Sequence, residues 1–229
     1  MPTEDLIQQL TSDLQPVRRL RPVAVRVAAW SVIALASLGL VTMLSGVRRE
    51  LGDAVDKTDF AIEAALLTAT ALSAAFGALL VSIPGADRLR YMRSLPIVAG
   101  SATVVWALGE VLMATATGAP AGRATFAWYC LYKSTSIAFI PSVVLFLMIR
   151  RAAPLHAARA GFLALLATAA VGAIGANVVC PYDRPLHMLL WHAAPLMLFA
   201  GLGAGLGTWL LRWPRGAPPQ SRGKKDSQH

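Results

Sequence analysis

Six long apolar runs separated by short polar stretches dominate the chain, over residues 24–46, 60–83, 95–117, 127–149, 160–180 and 188–211. A helix needs roughly 20 apolar residues to cross the hydrocarbon core of a bilayer, and each run is about that long. The pattern predicts an all-α, polytopic bundle of six transmembrane helices. The first run is too long for the core of a signal peptide, and its basic flank begins far from Met1, so it counts as a span. Connections of roughly 8 to 13 residues leave no room for a folded domain between spans and favour antiparallel packing of consecutive helices. Three regions follow: an amphipathic segment 1–22, a membrane domain 23–212 and a basic, Pro- and Gly-rich tail 213–229 expected to be disordered.

Composition agrees with lipid as the solvent. Hydrophobic residues make up 56% of the chain and charged residues 14%, against roughly 25% charged in an ordinary soluble domain. The net charge of +9 would suggest nucleic acid if the basic residues formed one patch. They lie instead in short clusters between apolar runs, which excludes that class and sets an orientation. Arg18, Arg19, Arg21, Arg26, Arg88, Arg90, Arg93, Arg150, Arg151, Arg159, Arg212, Arg215, Arg222, Lys224 and Lys225 fall on one side; Arg48, Arg49, Lys57, Arg123 and Arg184 fall on the other. Basic loops stay in the cytoplasm, so both termini are expected there.

Inside the spans, small and polar residues are the informative ones. Gly201, Gly203, Gly205 and Gly207 form two overlapping small-xxx-small pairs, and Gly172 and Gly175 lie in the fifth span. Such residues let helix backbones approach closely, within the bundle or along a seam between two copies. Pro141 and Pro195 each remove a backbone hydrogen bond and should kink spans four and six. Glu63, Glu110 and Lys133 are the ionisable residues within spans. Glu110 sits about 10 Å and Lys133 about 9 Å below the outer surface at 1.5 Å per residue. An ion pair between Glu110 and Lys133 on consecutive helices is expected, because an unpaired charge at that depth costs several kcal/mol; the alternative is that Glu63 and Lys133 lie close enough to the interface to reach water without a partner.

Cys130 and Cys180 are the chain's two cysteines. Both fall at the outer ends of spans, in an oxidising compartment where a disulfide between them is permitted. Lys133, one turn from Cys130, would favour a thiolate. Packing residues, a structural disulfide and a redox- or metal-responsive thiol pair all remain open. His187 could join the thiols at a soft metal ion, but the spacing matches no recognised ligand motif, so no metal or cofactor is assigned.

At the other end of the chain, residues 3–14 (TEDLIQQLTSDL) read as a short helix. Thr3 caps it, Glu4 and Asp5 suit its positive end, and Leu6, Leu10 and Leu14 recur every four residues. Pro16 stops it, and Arg18 and Arg19 lead to the membrane. So short a helix needs a partner surface or the bilayer itself.

The acidic DLIQQL start, the PVRRLRP junction, the cysteine opening span four, the RRAAPLH loop and the CPYDRPLHMLLWH stretch entering span six together resemble the NrsF family of membrane anti-sigma factors, over nearly the whole chain. That resemblance implies a regulator holding an extracytoplasmic-function (ECF) sigma factor at the membrane and releasing it on stress, with a cysteine pair, here Cys130 and Cys180, needed for the response. Charge and access point to residues 3–22, including Leu6, Leu10, Leu14, Arg18 and Arg19, as the grip on the sigma factor, with help from the 150–159 loop. A small ion or solute transporter and a membrane scaffold are the competing classes, and a homo-oligomer is left open. An enzyme is not expected, since no catalytic constellation converges in one loop.

Overall fold

A computed structural model describes residues 3–11, 20–83, 90–122, 128–152 and 154–211, apart from the side chains of residues 6, 9, 10 and 90–93. The elements in chain order are α1 (Thr3–Thr11), α2 (Val23–Ser45), α3 (Leu51–Val55), α4 (Thr58–Leu80), α5 (Arg90–Ala116), α6 (Trp128–Arg151), α7 (Ala157–Val179), α8 (Pro185–Met188), a π-helical turn (Leu189–Ala193) and α9 (Ala194–Leu210). Among the described residues, six stretches are long and apolar enough to cross a membrane: α2, α4, Ser94–Ala116 of α5, α6, α7, and Pro185–Leu210. They fall within a few residues of the six apolar runs. α1 confirms a helix near the start of the chain; Leu14, Arg18, Arg19 and the tail 213–229 lie outside the described residues.

α7 is the centre of the bundle. Its sequence, AARAGFLALLATAAVGAIGANVV, is apolar on every face, the pattern of a helix surrounded by others. α9, α4, α6 and α2 all pack on it. Its small residues set the spacing. A Cβ on Gly161 would collide with the carbonyl oxygen of Gly203, and one on Gly207 with that of Ala157, so α7 and α9 meet backbone to backbone. Gly172 lies against Ser134 and Gly175 against the Ile137 side chain on α6. Of the small pairs in α9, Gly203 and Gly207 make this contact. Gly201 and Gly205 instead face outward, with nothing within 4 Å of a Cβ built on either.

Polar side chains repair what the membrane helices leave open. Pro141 has no N–H to offer the carbonyl of Ile137 one turn earlier. The Ser37 hydroxyl on α2 donates to that oxygen at 2.9 Å, and the Trp30 indole N–H donates to the carbonyl of Pro141 itself at 3.1 Å. Thr70 and Thr103 join α4 to α5 at 3.3 Å, and Ser142 donates to Thr168 between α6 and α7 at 2.9 Å. In lipid such bonds average about 0.6 kcal/mol each.

One expectation fails. α5 packs on α4 and on the start of the last span, whereas α6 packs on α7 and α2, so these two consecutive helices do not form a packed pair. Short loops constrain which end of the bundle a helix starts from, but leave its lateral neighbours free.

Candidate functional site

Three connections meet at one end of the bundle. The backbone N–H of Arg48 donates to Val178 at 3.1 Å, and that of Leu186 donates to Ala121 at 3.0 Å. Arg48, almost fully buried, places its guanidinium 3.8 Å from the carboxylate of Asp183 and over the ring of Phe60, while Lys57 reaches the same carboxylate at 3.4 Å. The segment 180–185 is thereby held from both sides.

Its local shape is written in two prolines. A residue before proline is driven out of the helical region. Cys180, before Pro181, leaves α7 with φ −79° and ψ 124°, and Arg184, before Pro185, is extended at φ −117° and ψ 135°. Pro185 then begins α8, where its missing N–H costs nothing. Cys180 is thus turned inward at the end of α7, beneath the first turn of α6, which carries Cys130.

The two sulfur atoms lie 2.7 Å apart, both fully buried. Nε2 of His187 stands 3.3 Å from the sulfur of Cys180 and 3.5 Å from that of Cys130. His192 is the fourth member: one donor atom from each of Cys130, Cys180, His187 and His192 lies within 4.8 Å of every other. Nδ1 of His192 is hydrogen-bonded to Oδ1 of Asn177 on α7, while its Nε2 is buried without a hydrogen-bond partner among the described residues.

His187 and His192 meet because the last span is not a regular α-helix. Residues five apart on an α-helix point about 140° away from each other. In a π-helical turn an i→i+5 bond brings such residues round to one face. Leu189–Ala193 forms that turn, closed by the N–H of Ala194 on the carbonyl of Leu189. Pro195 supplies a reason: in a regular helix its ring would strike the carbonyl of Trp191, and the widened turn avoids the clash.

Glu110 and Lys133 are not joined. The ammonium of Lys133 lies over the rings of Tyr129 and Tyr132, at 5.3 and 5.6 Å, on the first turn of α6. Glu110 lines a cavity of about 830 Å³ with Glu63, Asp59 and Asp183, between α4, α5 and the 183–188 segment. Among the described residues, the ion pairs are those of Asp183. The expected pair presumed that α5 and α6 were neighbours. Of the expected grip on a partner, Leu6 and Leu10 lie on α1, and Leu14, Arg18 and Arg19 lie outside the described residues.

Sequence reasoning found both cysteines and saw His187 as a conceivable neighbour, but it missed the convergence of His192 and the part played by Asn177. The usable signal was Pro195, which disturbs the helical register just after His192.

A six-helix bundle with two buried, adjacent cysteine sulfurs at one end defines a class of polytopic helical proteins. Residues 10–213 match the family model NrsF, negative regulator of sigma F, and the chain belongs to that family. It is a family of regulators, and its members act on a sigma factor. No curated protein and no solved structure matches the chain.

Proposed function

We propose that this protein holds an ECF sigma factor at the bacterial inner membrane and releases it when the Cys130–Cys180 pair is chemically altered. The observation that carries this reading is the buried sulfur pair, 2.7 Å apart, in a chain of a family that negatively regulates a sigma factor. The basic loops put both termini in the cytoplasm and the sulfur pair on the periplasmic side. The segment 1–22 then meets the sigma factor, with Leu6, Leu10 and Leu14 as an apolar stripe and Arg18 and Arg19 at the membrane surface.

The signal crosses the bilayer through α6 and α7. Each begins or ends at the sulfur pair, and their far ends are joined by residues 152–156. Close packing at Gly172–Ser134 and Gly175–Ile137 resists gradual deformation, so a change at the sulfurs moves the helices between discrete arrangements. Oxidation is one such change: two thiols give one disulfide and lose two protons and two electrons to a thiol oxidant. A disulfide is worth roughly 2 to 4 kcal/mol, on the scale of the several kcal/mol of differential affinity needed to shift a complex from mostly held to mostly free.

The test is affinity purification of the full chain from membranes of its own cells. Recovery of an ECF sigma factor, lost on deletion of residues 1–22 and released by thiol oxidant, is the expected result. Release that persists in Cys130→Ser removes the thiols from the switch. Recovery of no sigma factor from cells that make one removes the regulatory reading.

A further inference from the structure

The structure assigns a metal site: we propose that Cys130, Cys180, His187 and His192 together bind one divalent, thiophilic d10 ion of the zinc class, oriented by Asn177. Four donors from three parts of the fold, all buried, converge within 4.8 Å of one another. Two thiolates and two imidazoles form an ordinary tetrahedral donor set for zinc. With metal–sulfur bonds of about 2.3 Å and metal–nitrogen bonds of about 2.0 Å, the donors of such a site stand about 3.3 to 3.8 Å apart. His187 Nε2 already lies 3.3 and 3.5 Å from the two sulfurs, and the sulfurs must move apart from 2.7 Å to about 3.8 Å to share the ion.

His192 argues for a ligand independently of the thiols. Its side chain is 98% buried, since 2% remains exposed. Oδ1 of Asn177 accepts a hydrogen bond from Nδ1, which leaves the lone pair on Nε2, and Nε2 has no hydrogen-bond partner among the described residues. A buried acceptor left open is unfavourable, and an ion removes that deficit. Fixing one ring nitrogen with an amide or carboxylate so that the other can ligate is the usual arrangement around a metal-bound histidine. The π-helical turn belongs to the same construction, because it brings His192 to the face of the helix that carries His187.

Charge selects the ion. Binding M²⁺ to two thiols and two neutral imidazoles releases the two thiol protons, and the product, two thiolates with one dication, is neutral. A monovalent ion on the same donors would leave a buried negative charge, which a low-dielectric site disfavours. The thiolates exclude Mg²⁺ and Ca²⁺, which prefer oxygen. That occupancy of this site drives sigma-factor release rests on the regulatory reading above, whereas binding itself does not.

Full-length reduced protein, solubilised in detergent and stripped with chelator, should be titrated with Co²⁺ as a spectroscopic probe. The expected result is a single Co²⁺ per chain with intense visible bands of tetrahedral geometry and sulfur-to-metal charge transfer, displaced by Zn²⁺ with release of protons. X-ray absorption of the zinc form should show two sulfur and two nitrogen ligands. His192→Ala should lose one nitrogen ligand, and Asn177→Ala should weaken binding by about 10- to 100-fold without changing the ligand set. Helicity by circular dichroism identifies a variant that has failed to fold, and Asn177→Ala keeps the test alive if His192→Ala does. Absence of tetrahedral bands in the parent protein, or unchanged affinity and ligand count in folded His192→Ala and Asn177→Ala, overturns the site. Tight binding of zinc with no effect on a captured sigma factor would leave the site standing and count against the regulatory reading alone.

Discussion

Arg48, with 2% of its side chain exposed, faces the carboxylate of Asp183, 47% exposed, across 3.8 Å. This pair ties the connection after α2 to the segment that carries Cys180. Asp183→Asn removes the carboxylate and leaves a buried guanidinium without its counter-charge. The expected loss is about 1 to 3 kcal/mol, below the about 3 to 5 typical of fully buried pairs because water reaches Asp183. Lys57, 60% exposed, should matter little: Lys57→Ala is expected to cost at most about 0.5 kcal/mol. Unfolding midpoints in mixed detergent and SDS check both. Equal losses for the two variants would show that the buried cation is not what the carboxylate serves.

The two faces of α9 predict opposite responses to an added side chain. Gly203→Leu forces a Cβ into the carbonyl of Gly161 and the side chain of Leu165, and should cost about 3 kcal/mol or more. Gly205 has nothing within 4 Å of its Cβ position, so Gly205→Ala should change stability by no more than about 0.5 kcal/mol in the purified chain. The same unfolding assay separates them. A tolerant Gly203 would mean that α7 and α9 do not meet backbone to backbone.

These contrasts show where the sequence was legible. Length and hydropathy placed six spans to within a few residues, because burying an unsatisfied backbone in lipid is so costly that a long apolar run has few alternatives. They also put Cys130 and Cys180 at one end, since topology fixes which end of the bundle a residue reaches. Lateral position carries no such signal. Glu110 and Lys133 are expected at one depth from their places in the runs, yet α5 lies against α4 while α6 lies against α7 and α2. His192 was hidden for a different reason: regular helical periodicity turns it away from His187, and the π-helical turn that reunites them is a local departure from that periodicity. α3 was missed as well, since five residues, LGDAV, are too few to show a period.

The sulfur pair gives a prediction independent of any signal. Mild thiol oxidation of the purified chain should form an intrachain Cys130–Cys180 bond in high yield, because the atoms are already 2.7 Å apart and the bond length is about 2.05 Å. Closing a loop across 50 residues should stabilise the folded chain by up to about 4 kcal/mol in the chain-entropy description. Intact mass after alkylation reports the bond, and the thermal midpoint reports the gain. Oxidation that yields chiefly crosslinked dimers would show that the sulfurs are not each other's nearest partners.

The separation of Glu110 from Lys133 turns into a thermodynamic statement. Glu110 shares its cavity with Glu63, Asp59 and Asp183, so Glu110→Gln relieves repulsion among carboxylates and should be neutral or mildly stabilising. Lys133→Met removes a cation from Tyr129 and Tyr132 and should cost about 0.5 to 1 kcal/mol, the usual worth of a cation over an aromatic ring at an exposed site. Residues that share no contacts contribute additively. The double variant should therefore equal the sum of the single ones to within about 0.5 kcal/mol. A coupling of about 2 kcal/mol or more would require the two charges to meet, and with them α5 and α6, in an arrangement of the bundle different from this one.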